Sequence, residues 1–302
     1  MTARVWFLVF ASACGAKHDA GGSAGSAGSA QPTGSAQAPV ASATPAWRID
    51  SQVAPLMCGS KPLAMPPPHA PPASPASSER ELPRATPIAA CNDQPSLDTA
   101  CKCLVASAGT WAKGIGLAAP VSCAPAPQGD STTRLLDLHS VPADPDAVSA
   151  GTAFAVAIAH ASTWSVLGIA ERAADIDLTE TPKATRGAAI DRFESKARGD
   201  STVVWIETDN AYSETSMGED ELSGGASVTV CVLPAAQRPY CSAPLKLGHY
   251  EYTFARDKDG QPDACSIREA SRLSAHLDSA GSLTIELDNG SDTANVAGRY
   301  RL

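Results

Sequence analysis

From residue 131 to the C-terminus the sequence alternates apolar and polar residues in short runs. This two-residue period constrains the fold more than any other feature of the chain. The runs are "TAFAVAIAH" (152–160), "TWSVLGIAE" (163–171), "STVVWIET" (201–208), "ASVTVCVL" (226–233), "HYEYTFA" (249–255), "RLSAHLD" (272–278), "SLTIELD" (282–288) and "VAGRYRL" (296–302). Gly, Pro, Asp and Asn clusters separate them, and each of those residues favours turns for its own backbone reason. Successive side chains on a strand point to opposite faces, so such runs build sheets with short antiparallel connections. Residues 131–302 are therefore expected to form one antiparallel β domain, folded as a sandwich or a partly closed barrel.

The N-terminus reads differently. Val5 to Ala13 is apolar and follows a single basic residue, Arg4. It is too short to span a bilayer, which takes roughly 20 apolar residues, and it fits the apolar region of an export signal. Ala11, Ser12 and Ala13 then lead into Cys14. This stretch resembles the lipobox of bacterial lipoproteins, with Ala11 where that family usually carries Leu. The resemblance implies a signal peptide over residues 1–13 and acylation of Cys14 as the new N-terminus. It also implies an extracytoplasmic place in the cell envelope, anchored to a membrane through the lipid at the outer membrane or cell surface. Residues 14–45 are dominated by Gly, Ser and Ala. Such a tract buries too little to repay its ordering entropy, so it is expected to be a disordered tether.

Eight cysteines remain after Cys14: Cys58, Cys91, Cys101, Cys103, Cys123, Cys231, Cys241 and Cys265. An even set in an exported chain predicts four disulfides. Zinc is disfavoured, because "CKC" (101–103) has one intervening residue and no nearby His. Five of the eight precede the β domain and three lie in it, so complete pairing requires a bridge between the halves. Cys231 and Cys241 flank a reversal with two prolines and are placed to face each other across a hairpin. That leaves Cys265 to reach the N-terminal set.

Between tether and β domain, residues 46–61 carry Trp47, Ile49, Val53, Leu56 and Met57, and are expected to dock onto the body. Residues 62–88 are rich in Pro and Ser and read as a semi-rigid linker. Residues 89–127 read as a small helical unit stapled by its cysteines. Ser96 is the expected N-cap, Asp98 lies in the first turn, and Gly109 is the expected stop. On that helix Cys101 and Cys103 point about 200° apart, so they should bond different partners.

Net charge is -9, and residues 131–302 hold 15 basic against 25 acidic side chains. An acidic body repels phosphate backbones, which disfavours nucleic-acid binding. "RDKDGQPDAC" (256–265) sets Asp257, Asp259 and Asp263 around Gly260. Carboxylates so spaced can wrap calcium. The stretch resembles one unit of the thrombospondin type 3 calcium repeats, though Lys258 intrudes and there is a single copy. Calcium is accordingly not expected to be needed for folding. "RGD" (198–200) resembles the integrin-binding tripeptide but falls at an expected turn, and "GEDE" (218–221) reads as a solvated loop.

Trp164 and Trp205 are expected in the core, and His160 at a turn. Tyr250 and Tyr252 share one strand face, a candidate ligand-facing pair, with His249 and Glu251 on the other. No His-Glu-x-x-His occurs, and the Gly-Ser-Ala repeats lack the Lys and the preceding strand of a phosphate loop. The sequence thus points to a non-catalytic envelope lipoprotein, with no catalytic residue or cofactor assigned, whose β domain binds an envelope component or presents a surface. A secreted hydrolase of unfamiliar fold and a calcium-stabilised adhesion module are the rival classes.

Overall fold

A computed structural model describes residues 46–69, 79–115, 117, 119–141, 152–171, 188–216, 219–259 and 262–302. The expected signal peptide (1–13), the lipidation site Cys14 and the tether (14–45) lie outside the described residues. Strands β1 (Arg48–Asp50), β2 (Met57–Cys58), β3 (Lys61–Pro62) and β4 (Arg80–Glu81) precede helix α1 (Leu97–Trp111). Strands β5 (Val121–Gly129), β6 (Thr133–Ser140), β7 (Thr152–His160) and β8 (Thr163–Glu171) follow. Then come β9 (Ala188–Arg198), β10 (Ser201–Ser216), β11 (Glu219–Pro234), β12 (Tyr240–Cys241) and β13 (Leu245–Lys246). The chain ends in β14 (Gly248–Arg256), β15 (Pro262–Asp278), β16 (Ser282–Asn289) and β17 (Gly298–Arg301).

The fold is all-β with one α-helix, and its strands pair antiparallel except for β4 beside β17. Strands β5 to β8 form a four-stranded meander. The larger sheet runs β4-β17-β16-β15-β14-β11-β10-β9, with β1 added to β15 and β12 and β13 added to β11. Residues 44–302 form a single compact unit.

Three apolar clusters stack the layers. Leu104, Ala108 and Ala112 of the helical segment pack against Leu136, Leu138, Ala155 and Ala157 on one face of the meander. The other face presents Leu135, Phe154, Val156 and Ile158 to Val204, Ile206 and Cys231 of the large sheet. The far face of the large sheet buries Val203, Trp205, Val228 and Val230 with Ile49, Leu277, Leu283, Ile285 and Tyr300. Both β7 and β10 are therefore covered on both sides. This explains why burial runs unbroken from Ala153 to Ile158 and from Val203 to Thr208 instead of alternating.

The large sheet curls toward closure but is not closed. No ladder joins β9 to β1; side-chain bonds cross the gap instead. Trp47 Nε1 donates to Ala197 O at 2.9 Å, and Arg198 donates to Ala280 O at 2.7 Å. The second contact also occupies the arginine of the RGD tripeptide. Gly281 (φ +87°) lies so close that a Cβ there would sit 2.2 Å from the Arg198 guanidinium carbon.

Several local expectations change. Ser96 caps α1 in a reciprocal box with Thr99, as its sequence position suggests. Gly109 does not stop the helix, which runs to Trp111, whose indole donates to Leu104 O while Ala108 and Ala112 are buried. Packing has overridden the glycine. Strand β5 begins inside the expected helical unit of residues 89–127 and runs past its end to Gly129, despite Pro125 and Pro127. It tolerates them because it is an edge strand with a register break between Pro125 and Gly129. The "GEDE" stretch is not a free loop. Its last three residues open β11, and Asp220 is buried against Arg256.

The described part of the expected 62–88 linker is docked rather than spacing. His69 N donates to Gly290 O at 2.7 Å, Leu82 is buried, and Arg84 lies over the Tyr240 ring at 4.2 Å.

All eight cysteines pair. Cys91 joins Cys103 and Cys101 joins Cys123, so the neighbours on α1 do take different partners. Cys231 and Cys241 are register partners on β11 and β12, with Cα atoms 3.9 Å apart. That is nearer than the 4.4–6.8 Å usual for a disulfide. Cys265 joins Cys58, the bridge between the halves that the odd counts require.

Candidate binding cleft

The inner face of the large sheet begins as dry core and ends as a cleft. Along β11 that face reads Val230, Val228, Ala226, Gly224, Leu222. The first two are core, whereas Ala226 and Leu222 line a cavity of about 350 Å³. Small residues make the room. At Gly225 an added Cβ would sit 2.4 Å from Gly248 O, so only glycine permits the approach of the segment entering β14. There β11 changes partner from β14 to β13.

A strap roofs the cleft. Val53 to Met65 crosses it, with Leu56, Met57, Leu63 and Met65 among the lining side chains. Three kinds of contact hold the strap. Cys58 is bonded to Cys265, Arg272 donates to Val53 O at 2.9 Å, and the Tyr252 hydroxyl donates to Met57 O at 3.3 Å. Burial pushes the Tyr252 phenol up, so it keeps the proton it donates. Met57 is nonetheless 40% exposed, an apolar side chain at the rim.

The floor carries aromatic and charged groups. Tyr250 and Tyr252, paired on sequence grounds as candidate ligand contacts, both line the cleft with ring centroids 6.2 Å apart. His249 and Glu251 point elsewhere, toward Glu269 and Arg268. Asp191, Asp209, Ser271 and Arg272 supply the polar lining. Asp191 arrives there through a β-bulge. Glu207 pairs with Arg192 and Thr208 with Ile190, so the register steps over Asp191. Ile190 and Phe193 pack against the meander-side cluster, and the bulge turns Asp191 and Arg192 together toward the inner face. The three-residue spacing of Ile190 and Phe193 breaks period two and is the sequence trace of this bulge.

Behind the floor lies a buried polar rung. Glu207 accepts from Trp205 Nε1 at 2.8 Å and lies 3.7 Å from Arg192 Nη1. Burial raises its carboxyl pKa, and these partners offset that only in part. Glu194 is different. Burial works to raise it, but the Arg192 guanidinium beside it outweighs that and holds it low.

Other expected site residues fall apart. Asp257 and Asp259 are exposed in the β14–β15 turn, where Asp257 Oδ1 accepts from Asp259 N at 2.9 Å. Asp263 is exposed on β15. Among the described residues no three His, Cys, Asp or Glu side chains gather as a metal site requires. His160 ends β7 at a turn, and Trp205 is fully buried, as their positions suggest. Among the described residues no helix is long and apolar enough to cross a membrane. Comparison with known protein families, curated proteins and solved structures finds no match to this chain.

Proposed function

We propose that the chain is an exported envelope lipoprotein, held to a membrane by a lipid on Cys14, whose β body binds an envelope component in the strapped cleft without acting on it chemically. The cleft carries this reading. It is concave and mostly apolar, it lies between the strap and the large sheet, and a few polar groups converge on it, as ligand sites generally do. The pairing of all eight other cysteines supports an oxidising compartment.

A blocking substitution tests the binding role. Leu222→Trp fills the cleft from β11, and Ala243→Trp, on the opposite side of the same sheet region near α1, serves as the control. N-phenyl-1-naphthylamine, an uncharged fluorescent probe, should brighten with the parent protein and the control but not with Leu222→Trp. Equal brightening with all three folded proteins, or none with the parent, overturns the reading.

A further inference from the structure

We propose that a second cavity, between the β7–β8 hairpin and the loop joining β11 to β12, binds a saccharide.

The cavity opens at one end of the space between the two sheets. Ile158 pairs with Ser165 and His160 with Thr163, so Ile158, His160, Ser165 and Leu167 share one face of the hairpin. Ile158 and Leu167 belong to the core between the sheets. All four residues line a cavity of about 500 Å³, where that core gives way to polar groups. The cavity shares no lining residue with the strapped cleft.

Its other walls are fixed before any ligand arrives. Ile88 N donates to Val166 O at 3.3 Å and Asp93 N to Ser165 Oγ at 3.0 Å, which holds residues 87–93 against β8. Cys91 is bonded to Cys103 in the same segment. Residues 235–239 form a loop closed at its base by the Cys231–Cys241 bridge, and Ala235 N donates to Asp200 O at 2.9 Å. A site built this way loses little freedom on binding.

Five planar polar side chains belong to the lining residues: Asn92, Asp93, His160, Gln237 and Arg238. Among the described residues, none of the five side chains bonds to or pairs with another group of the chain. The set is mixed. The Asp93 carboxylate only accepts, the Arg238 guanidinium only donates, and the amides and the imidazole do both. A phosphate would set acceptor against acceptor at Asp93, and an ammonium would set donor against donor at Arg238. A hydroxyl both donates and accepts, so a ring bearing several can satisfy every member of the set. The C–H face of such a ring matches Ile158, Leu167 and Pro239.

Saturation-transfer NMR with four probes tests this: the methyl glycosides of glucose, galactose, mannose and N-acetylglucosamine. At least one should receive saturation from the parent protein. Inorganic phosphate or methylammonium at equal concentration should not displace it. Asp93→Ala/Arg238→Ala should weaken the best glycoside about tenfold, and Ala236→Trp, which fills the cavity, should abolish its signal, both at an unchanged urea midpoint. The proposal is overturned if none of the four binds, if phosphate or methylammonium displaces the glycoside, or if both folded variants bind as the parent does.

Discussion

At the scale of single residues, two carboxylates make opposite predictions for stability against pH. Burial raises the pKa of Glu207 in the folded chain. Between its ordinary value and that raised value the native state holds more protons than the unfolded state. Stability must therefore fall as pH rises through that window. Glu207→Gln should flatten this part of the profile, read as urea midpoints over a pH series. A slope unchanged by the substitution would place its origin elsewhere.

Asp130 runs the other way. Burial works to raise it, but it accepts from Thr132 Oγ1 and Thr132 N, each at 2.8 Å, and from Thr133 N at 2.7 Å, and these bonds hold its pKa low. Its contribution is present above the unfolded pKa and is lost as pH falls through the folded one. Asp130→Ala should cost about 1–3 kcal/mol at neutral pH, and less in acid. The same urea series measures it, and an equal loss at every pH would contradict the assignment. Neither environment was readable in advance. Glu207 sits in an ordinary polar-looking position of "VVWIET", and only the stacking of sheets buries it.

At the scale of elements, the strap is the piece whose behaviour can be isolated. Cys58–Cys265 ties residues 207 apart in sequence. In the chain-entropy picture such a bridge contributes roughly 5 kcal/mol, and engineered bridges often deliver less. Cys58→Ser/Cys265→Ser should lower stability by about 2–5 kcal/mol and leave the core strands in place. It should also speed chymotryptic cleavage after Leu56 and Leu63, the strap leucines that line the cleft. Urea midpoints and timed digestion read both effects, and unchanged cleavage would mean the backbone contacts alone hold the strap.

The alternating runs, the β7–β8 hairpin, the capped helix and the bridge between halves were legible because each rests on local pattern or on counting. Other elements were hidden by tertiary effects. The edge position of β5 licenses its prolines, packing carries α1 past Gly109, and the Asp220–Arg256 pair continues β11 into a stretch that reads as loop. Of the cleft, the Tyr250/Tyr252 pair was visible from period two. Asp191 was not, because the three-residue spacing of Ile190 and Phe193 identifies a bulge only once β10 is known to be the partner strand.

At the scale of the whole molecule, the proposed lipid anchor and the proposed binding cleft are tested separately. The anchor has its own test. Intact mass of protein purified from its native host should show a chain beginning at Cys14 and carrying acyl groups, and an unmodified chain beginning elsewhere would contradict it. The central claim concerns the cleft, and hydrogen–deuterium exchange tests it most directly. The measurement compares the free protein with the protein saturated by N-phenyl-1-naphthylamine. The account predicts that slowed exchange concentrates in residues 53–65 of the strap, 222–226 of β11 and 248–252 of β14. Protection centred instead on α1 or on the β7–β8 turn would contradict it.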